Sequence, residues 1–124
     1  MINGGENMLR FIEYPKCSTC RKAKTELNQL GLDFEAVDII KETPSKEEIL
    51  TWIENSDLSL KSFFNTSGLK YRELGLKDKL SGLSIEEAAD LLAADGMLIK
   101  RPILEKDGKI LQIGYRTEYA TLDL

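Results

Sequence analysis

The sequence predicts an α/β protein in which a mixed β-sheet is covered by helices. Two patterns support this. A strand–helix–strand order opens the chain, and a short hairpin with an Asp-Gly turn closes it. A strand–helix–strand unit pairs its strands in parallel and a hairpin pairs them antiparallel, so we expect both orientations in one sheet.

The first half of the chain alternates between short apolar runs and helical spacing. Residues 9–14 form an apolar run that Pro15 ends, which predicts a buried strand. Apolar residues at helical spacing over residues 17–30, followed by Gly31, predict the first helix. Residues 34–40 predict the second strand.

Two capping patterns compete at the start of the next helix. Thr43 precedes Pro44, which suits the first helical position, whereas Ser45 and Glu48 have the spacing of a capping box. The sequence alone leaves this choice open.

The rest of the chain changes from helical spacing to strand spacing. Short helical pieces are expected at residues 58–64 and 71–76, and Ser84 with Glu87 caps a helix that runs to Gly96. Residues 103–113 then predict the hairpin, followed by a C-terminal helical turn.

Length and charge limit the function classes. The chain has 124 residues, 42% hydrophobic and 31% charged, with a net charge of −4. We expect a flexible lead at residues 1–8 and a single domain over residues 9–124. The acidic balance argues against direct binding of nucleic acid or an anionic membrane. Without a signal peptide or an apolar run of about 20 residues, a cytoplasmic protein is expected.

The absence of histidine excludes several chemistries. The chain has no His and two Cys, so one chain cannot form a Ser–His or Cys–His pair or a structural zinc site of the usual Cys/His type. The sequence also lacks a Gly-rich phosphate loop, and we expect neither a metal nor a bound organic cofactor.

The motif Cys17-Ser18-Thr19-Cys20 follows the first predicted strand and opens the first predicted helix. Its spacing places two sulfurs on one helical turn, and the helix N-terminus favours a thiolate at Cys17. Nearby positive charge acts in the same direction; it comes from Lys16, Arg21 and Lys22. We therefore predict that Cys17 is the nucleophile and that the more buried Cys20 resolves its mixed disulfides.

A basic residue, Arg101, precedes Pro102 at the start of the third predicted strand. Such a residue often has no role beyond the strand start. The functional interpretation requires Arg101 to lie near the two sulfurs, where its guanidinium would hold an anion or stabilise a thiolate. Sequence spacing alone favours the interpretation without a functional role.

Three segments in the same order resemble the arsenate reductase (ArsC)/Spx family, and the resemblance covers nearly the whole chain from Met8. The segments are Tyr14-Pro15-Lys16-Cys17-Ser18-Thr19-Cys20-Arg21-Lys22-Ala23, Tyr71-Arg72-Glu73-Leu74-Gly75-Leu76, and Arg101-Pro102-Ile103 followed by Gln112-Ile113-Gly114-Tyr115.

The resemblance implies a thioredoxin-like core with an inserted helical subdomain at about residues 45–96. It implies that Cys17 is the nucleophile, that Arg101 lies beside it, and that Pro102 has a cis peptide facing the thiols. Thioredoxin or glutaredoxin with glutathione is the expected reductant. The side chains expected to contact the substrate are Lys16, Ser18, Thr19, Arg21 and Pro102.

The chain departs from the family pattern at the oxyanion positions. Glutaredoxin-linked arsenate reductases of this family have one catalytic cysteine and typically three arginines. Here Cys20 adds a second thiol, and the other two arginine positions fall at Asn65 and near Ile113, although Arg116, three residues further on, could substitute for the second. Each lost charge-assisted hydrogen bond costs about 1.5–3 kcal/mol, so we predict little arsenate turnover.

Three functions follow. The first is a thiol–disulfide redox protein, an oxidoreductase using Cys17 and Cys20. The second is arsenate reductase. The third is a redox-switched, Spx-like transcriptional regulator that binds the C-terminal domain of the RNA polymerase α subunit. The third lacks support at one position, because the chain has no glycine between Leu32 and Ser67 where Spx uses one for polymerase contact.

Overall fold

A computed structural model describes residues 9–124 and shows a four-stranded mixed sheet flanked by helices. The predicted lead at residues 1–8 lies outside the described residues. The strands are β1 (Leu9–Glu13), β2 (Phe34–Asp38), β3 (Ile103–Lys106) and β4 (Lys109–Ile113). The helices are α1 (Ser18–Gln29), α2 (Lys46–Glu54), α3 (Leu69–Glu73), α4 (Leu76–Lys79) and α5 (Ile85–Ala94). Short 3₁₀ turns lie at Leu60–Phe63, Leu80–Gly82, Gly96–Leu98 and Tyr119–Thr121.

The sheet has the strand order β2-β1-β3-β4. Strands β1 and β2 are parallel, whereas β3 is antiparallel to both β1 and β4. This confirms the mixed sheet. The β3–β4 turn consists of Asp107 and Gly108, with φ values of 53° and 81°. Left-handed conformation at both positions is what a two-residue hairpin turn requires, and Asp-Gly adopts it readily.

The two faces of the sheet bury different cores because side chains alternate along each strand. Phe11 packs with Ala23 and Leu27 of α1 and with Tyr119 near the C-terminus. Ile12 points into the larger core, formed by the helical segment between β2 and β3. Its largest fully buried side chains are Trp52, Phe63 and Phe64.

The structure decides between the competing caps of α2. Ser45 is the N-cap, and its hydroxyl accepts a hydrogen bond from the Glu48 N–H at 3.1 Å. The Thr43 alternative is therefore wrong; the Thr43 hydroxyl instead donates to the Ile39 carbonyl at 2.8 Å. At α5 the predicted capping box is present in both directions, from Ser84 to Glu87 and back.

The buried carboxylate of Glu105 joins the sheet to the helical segment. It accepts hydrogen bonds from Trp52 Nε1 at 3.3 Å and the Gly108 N–H at 3.2 Å, and it pairs with Arg10 at 3.3 Å. Arg10 also pairs with Glu48 of α2. Because a buried charge is tolerated only when its partners are supplied, this network fixes the side of the sheet on which α2 lies.

Candidate active site

The two cysteines lie where β1 passes into α1. The turn after β1 closes with a hydrogen bond from the Cys17 N–H to the Tyr14 carbonyl at 2.9 Å. Cys17 is the N-cap of α1, and Cys20 lies in the first turn. Cys17 is half-buried, whereas Cys20 is fully buried. Of the two sulfurs, Cys17 is therefore the one that an external substrate can reach.

The surroundings of Cys17 favour its thiolate. Partial burial acts in the opposite direction, but the backbone N–H and the thiol of Cys20, the backbone N–H of Thr19 and the Arg101 guanidinium outweigh it. The net effect is a lowered pKa of Cys17. These donors belong to the helix N-terminus and to Arg101. The adjacent Lys16 and Arg21 are exposed and are not among the causes of the shift.

The same neighbourhood keeps Cys20 protonated. Burial, together with the neighbouring Cys17, raises the pKa of Cys20 to about 12 against opposing interactions with the Tyr14 backbone and Arg101. A protonated Cys20 can donate its S–H to the Cys17 thiolate. The pair therefore combines one sulfur whose thiolate is favoured with one that stays protonated, which suits an attacking and a resolving thiol.

Arg101 reaches this site from the segment before β3. Its guanidinium stacks on the Tyr14 ring at 5.1 Å from the centroid, and Nη1 donates to the Met97 carbonyl at 3.5 Å. Its Nε is buried without a hydrogen-bond partner among residues 9–124. The following peptide bond, to Pro102, is cis, and Pro102 is buried. The structure therefore brings Arg101 beside the sulfurs, as its functional interpretation required.

Cys17 opens into a cavity of about 310 Å³. Its walls are formed by Cys17, Thr19, Asn65, Ser67, Lys100, Arg101, Gly114, Tyr115 and Arg116. Three of these side chains are cations, and among residues 9–124 no carboxylate lines the cavity. The cavity is therefore suited to an anionic or thiolate-bearing ligand next to Cys17.

Several of the predicted substrate contacts lie elsewhere. Thr19 lines the cavity, but Lys16, Ser18 and Arg21 are exposed outside its walls, and Pro102 is buried and does not line it. The sequence interpretation also counted one clear guanidinium at the site, Arg101, with Arg116 able to substitute for a second.

The structure corrects that count. Lys100 and Arg116 join Arg101 around the cavity, while Ile113 packs in the core. Ser67, Gly114 and Tyr115 were missed altogether as cavity residues. The wall residues come from four separate segments, and the sequence signals for the added cations were the basic character of Lys100 and the position of Arg116 three residues after Ile113.

The C-terminal segment forms one wall of the site and is held by Glu26 of α1. The Glu26 carboxylate accepts hydrogen bonds from the Tyr115 hydroxyl at 2.6 Å and from the N–H groups of Tyr119 and Ala120 at 2.5 and 2.9 Å. Burial and the Glu26 charge raise the pKa of Tyr115 to about 12, so its hydroxyl remains a donor at neutral pH.

The hydrogen bonds from the C-terminal segment to Glu26 predict a pH-dependent contribution to the stability of the protein. Burial opposes ionisation of Glu26, but hydrogen bonds from Tyr115, Tyr119 and Ala120 prevail and lower its pKa from the ordinary 4.5. The stabilisation is therefore present above pH 4.5 and is lost as the pH falls through the folded-state pKa.

Replacing Glu26 with glutamine is expected to lower the free energy of unfolding at pH 7 by about 1 kcal/mol, a difference that shrinks in acid. Urea denaturation at several pH values measures it, with the exposed Glu42→Gln as the control. A difference that stays constant down to pH 3 (about one unit below the usual glutamate range) would contradict the assignment.

The thiol environments predict unequal reactivity. Because only thiolates are alkylated, Cys17 should react with iodoacetamide about a hundredfold faster than Cys20 at neutral pH. Mass spectrometry of the quenched protein measures both rates between about pH 6 and 9. In denaturant the two rates should converge. Equal rates in the folded protein would remove the case for an activated Cys17.

Among residues 9–124, no helix is long and apolar enough to cross a membrane. Within the same range, no group of three or more Cys, Asp or Glu side chains is placed to hold a metal ion.

The mixed sheet with its flanking helices and the strand-to-helix CxxC define a thioredoxin-like protein with a cysteine pair. A model of the ArsC family matches residues 12–121, and the chain belongs to this family.

Individual relatives agree with this assignment. A Streptococcus mutans protein described as a possible arsenate reductase has a solved structure that superimposes with a TM-score of 0.92 at 64% identity, over 95% of this chain and 99% of that one. The uncharacterized protein YusI of Bacillus subtilis is 52% identical over 89% of this chain and 92% of its own length. The global transcriptional regulator Spx of Lactiplantibacillus plantarum is 30% identical over 84% of this chain and 76% of its own length.

Proposed function

We propose that this protein is a thiol–disulfide oxidoreductase in which Cys17 attacks the substrate and Cys20 resolves the product. The observation that carries the proposal is the pairing of a thiolate-favouring, reachable Cys17 with a buried, protonated Cys20 in one helical turn. A buried pair of inert thiols would not need donors and a guanidinium directed at one sulfur.

The proposed cycle has two thiol–disulfide exchanges. The Cys17 thiolate attacks one sulfur of a substrate disulfide, the substrate S–S bond breaks, and one substrate thiol leaves with a proton. Cys20 then loses its proton and attacks the Cys17 sulfur, which releases the second substrate thiol. Two electrons have passed to the substrate, and the protein holds a Cys17–Cys20 disulfide. Thioredoxin, or glutaredoxin with glutathione, is the proposed reductant that restores the dithiol in the cytoplasm.

Arsenate reduction is the second candidate, and one observation favours it. The cations Lys100, Arg101 and Arg116 line the cavity beside Cys17, so the site has three positive charges where the sequence indicated one clear guanidinium. Charge alone therefore does not exclude an oxyanion substrate. The regulatory alternative, with RNA polymerase as partner, rests on the resemblance to Spx and has no further support from the site.

A coupled turnover assay separates the two enzymatic candidates. Arsenate and bis(2-hydroxyethyl) disulfide are each supplied with NADPH and either the thioredoxin or the glutaredoxin–glutathione system. We expect disulfide reduction that requires both Cys17 and Cys20, and little turnover of arsenate.

Two variants sharpen the comparison. Arg101→Ala should abolish any arsenate turnover while leaving formation of the Cys17–Cys20 disulfide largely intact, because the backbone N–H groups and Cys20 still favour the Cys17 thiolate, whereas the oxyanion needs a positioned guanidinium. Arsenate turnover that is robust in the wild type and survives Cys20→Ser would reverse the ranking of the two functions.

A further inference from the structure

A second basic cavity lies next to the cavity of Cys17. It has a volume of about 290 Å³ and is mostly polar. Its charged and hydroxyl-bearing walls are Ser59, Lys61, Ser62, Thr66, Lys100 and Arg116. Lys100 and Arg116 also line the cavity of Cys17, so the two cavities share a wall. The two cavities therefore adjoin at Lys100 and Arg116, and a ligand bound at Cys17 lies beside the wall of the second cavity.

The cations around the two cavities have no carboxylate partners. Elsewhere in the described chain, Arg10, Lys24, Lys46 and Lys70 pair with carboxylates. Within residues 9–124, no carboxylate lies within the 4 Å salt-bridge distance of the four cavity cations, which are Lys61, Lys100, Arg101 and Arg116. In the part of the chain that the structure describes, no Asp or Glu lines either cavity.

This concentration of charge occurs in a protein whose net charge is −4. Four uncompensated cations facing adjoining cavities repel one another, and an anionic ligand relieves that repulsion. The hydroxyls of Ser59 and Ser62, 2.9 Å apart, add neutral hydrogen-bonding groups beside Lys61. Carboxylate and phosphate oxygens both match this donor set.

We propose that the second cavity is a subsite for the acidic part of a small disulfide substrate, and that Lys61 selects substrates carrying a carboxylate or phosphate away from the sulfur. This inference rests on the proposed oxidoreductase function and adds its substrate class. In the first exchange the Cys17 thiolate bonds to one substrate sulfur and the other half leaves as a thiol. The acidic group of the retained half lies in the second cavity until Cys20 displaces it.

Lys61 is the residue that tests the proposal, because it lines the second cavity and not the cavity of Cys17. It is exposed at a 3₁₀ turn, so its replacement should not disturb folding. Lys109, exposed on β4 and outside both cavities, provides a matched control.

The experiment compares kcat/KM for oxidised glutathione, coenzyme A disulfide and the neutral bis(2-hydroxyethyl) disulfide. Lys61→Ala is expected to lower kcat/KM about tenfold for the two acidic disulfides and to leave the neutral one unchanged. Lys61→Arg should restore the preference, and Lys109→Ala should change nothing. A larger loss with coenzyme A disulfide identifies phosphate as the preferred anion, and a larger loss with oxidised glutathione identifies carboxylate.

Two results would overturn the proposal in distinguishable ways. If Lys61→Ala affects acidic and neutral disulfides equally, or affects neither, the subsite is wrong while the oxidoreductase function stands. If the wild type reduces none of the three disulfides, the oxidoreductase function itself fails, and the subsite proposal fails with it.

Discussion

Replacing Cys20 with serine is expected to slow reduction of bis(2-hydroxyethyl) disulfide about a hundredfold or more, because a resolving thiol held one helical turn away has a large effective concentration. Cys17 should still react with the substrate, since its thiolate is supported by backbone N–H groups and by Arg101 as well as by Cys20. The variant should therefore accumulate as a mixed disulfide on Cys17. Intact-mass spectrometry during turnover detects this species directly.

Two controls distinguish loss of the resolving step from misfolding and from loss of nucleophilic attack by Cys17. Cys20 is fully buried, so a serine hydroxyl would need a hydrogen-bond partner there; Cys20→Ala provides the apolar comparison and should give the same trapped species. Cys17→Ser should form no adduct at all. Turnover that is unchanged in both Cys20 variants would show that Cys20 does not resolve the intermediate.

Replacing Gly96 with alanine is expected to destabilise the protein by about 3 kcal/mol, the upper range for overpacking a rigid site. A Cβ at this position would lie 2.3 Å from the Ile39 carbonyl oxygen and 3.1 Å from its carbon. Both atoms belong to the backbone just after β2, so the collision cannot be relieved by a side-chain rotation. Urea denaturation followed by circular dichroism measures the loss.

The matched control is Gly82→Ala. Gly82 also lies in a 3₁₀ turn of the helical segment, but nothing lies within 4 Å of an added Cβ there. Its unfolding free energy should change by less than about 0.5 kcal/mol. Similar stabilities for the two variants would contradict the close approach of Gly96 to β2.

The Gly96→Ala variant also tests whether packing around Gly96 determines the position of Arg101 at the cysteine site. Gly96 begins the turn that contains Met97, whose carbonyl accepts a hydrogen bond from Arg101. A displacement of this turn is therefore expected to move Arg101 and to raise the pKa of Cys17. Slower alkylation of Cys17 in folded Gly96→Ala would reveal that displacement.

Features specified by neighbouring residues were predictable from the sequence. The Asp107-Gly108 turn, the capping box at Ser84 and the position of Cys17 at a helix N-terminus each depend on a few adjacent residues, and all three occur in the structure. The choice of Ser45 over Thr43 as a cap was not predictable in this way. Both residues fit a local capping pattern, and the path of the chain after β2 determines which of them caps α2.

Which residues line the cavity beside Cys17 depends on packing between segments that are far apart in sequence. Asn65, Lys100 and Arg116 come from segments far apart in sequence, and they meet Cys17 only because the helical segment returns to the sheet beside β1. Arg116 reaches the cavity from the loop after β4, which no periodicity in the sequence indicates. The arginine count made from aligned positions alone therefore underestimated the positive charge of the site.

The most direct test of the central claim is the product formed when the reduced protein is oxidised with diamide. Both cysteines lie in one tryptic peptide, residues 17–21, between the cleavage sites after Lys16 and Arg21. We predict that this peptide loses two hydrogen atoms as an internal Cys17–Cys20 disulfide forms, and that thioredoxin with NADPH restores them. Oxidation that leaves Cys20 as a free thiol, with Cys17 converted to a sulfinic acid or joined to a second protein molecule, would contradict the account.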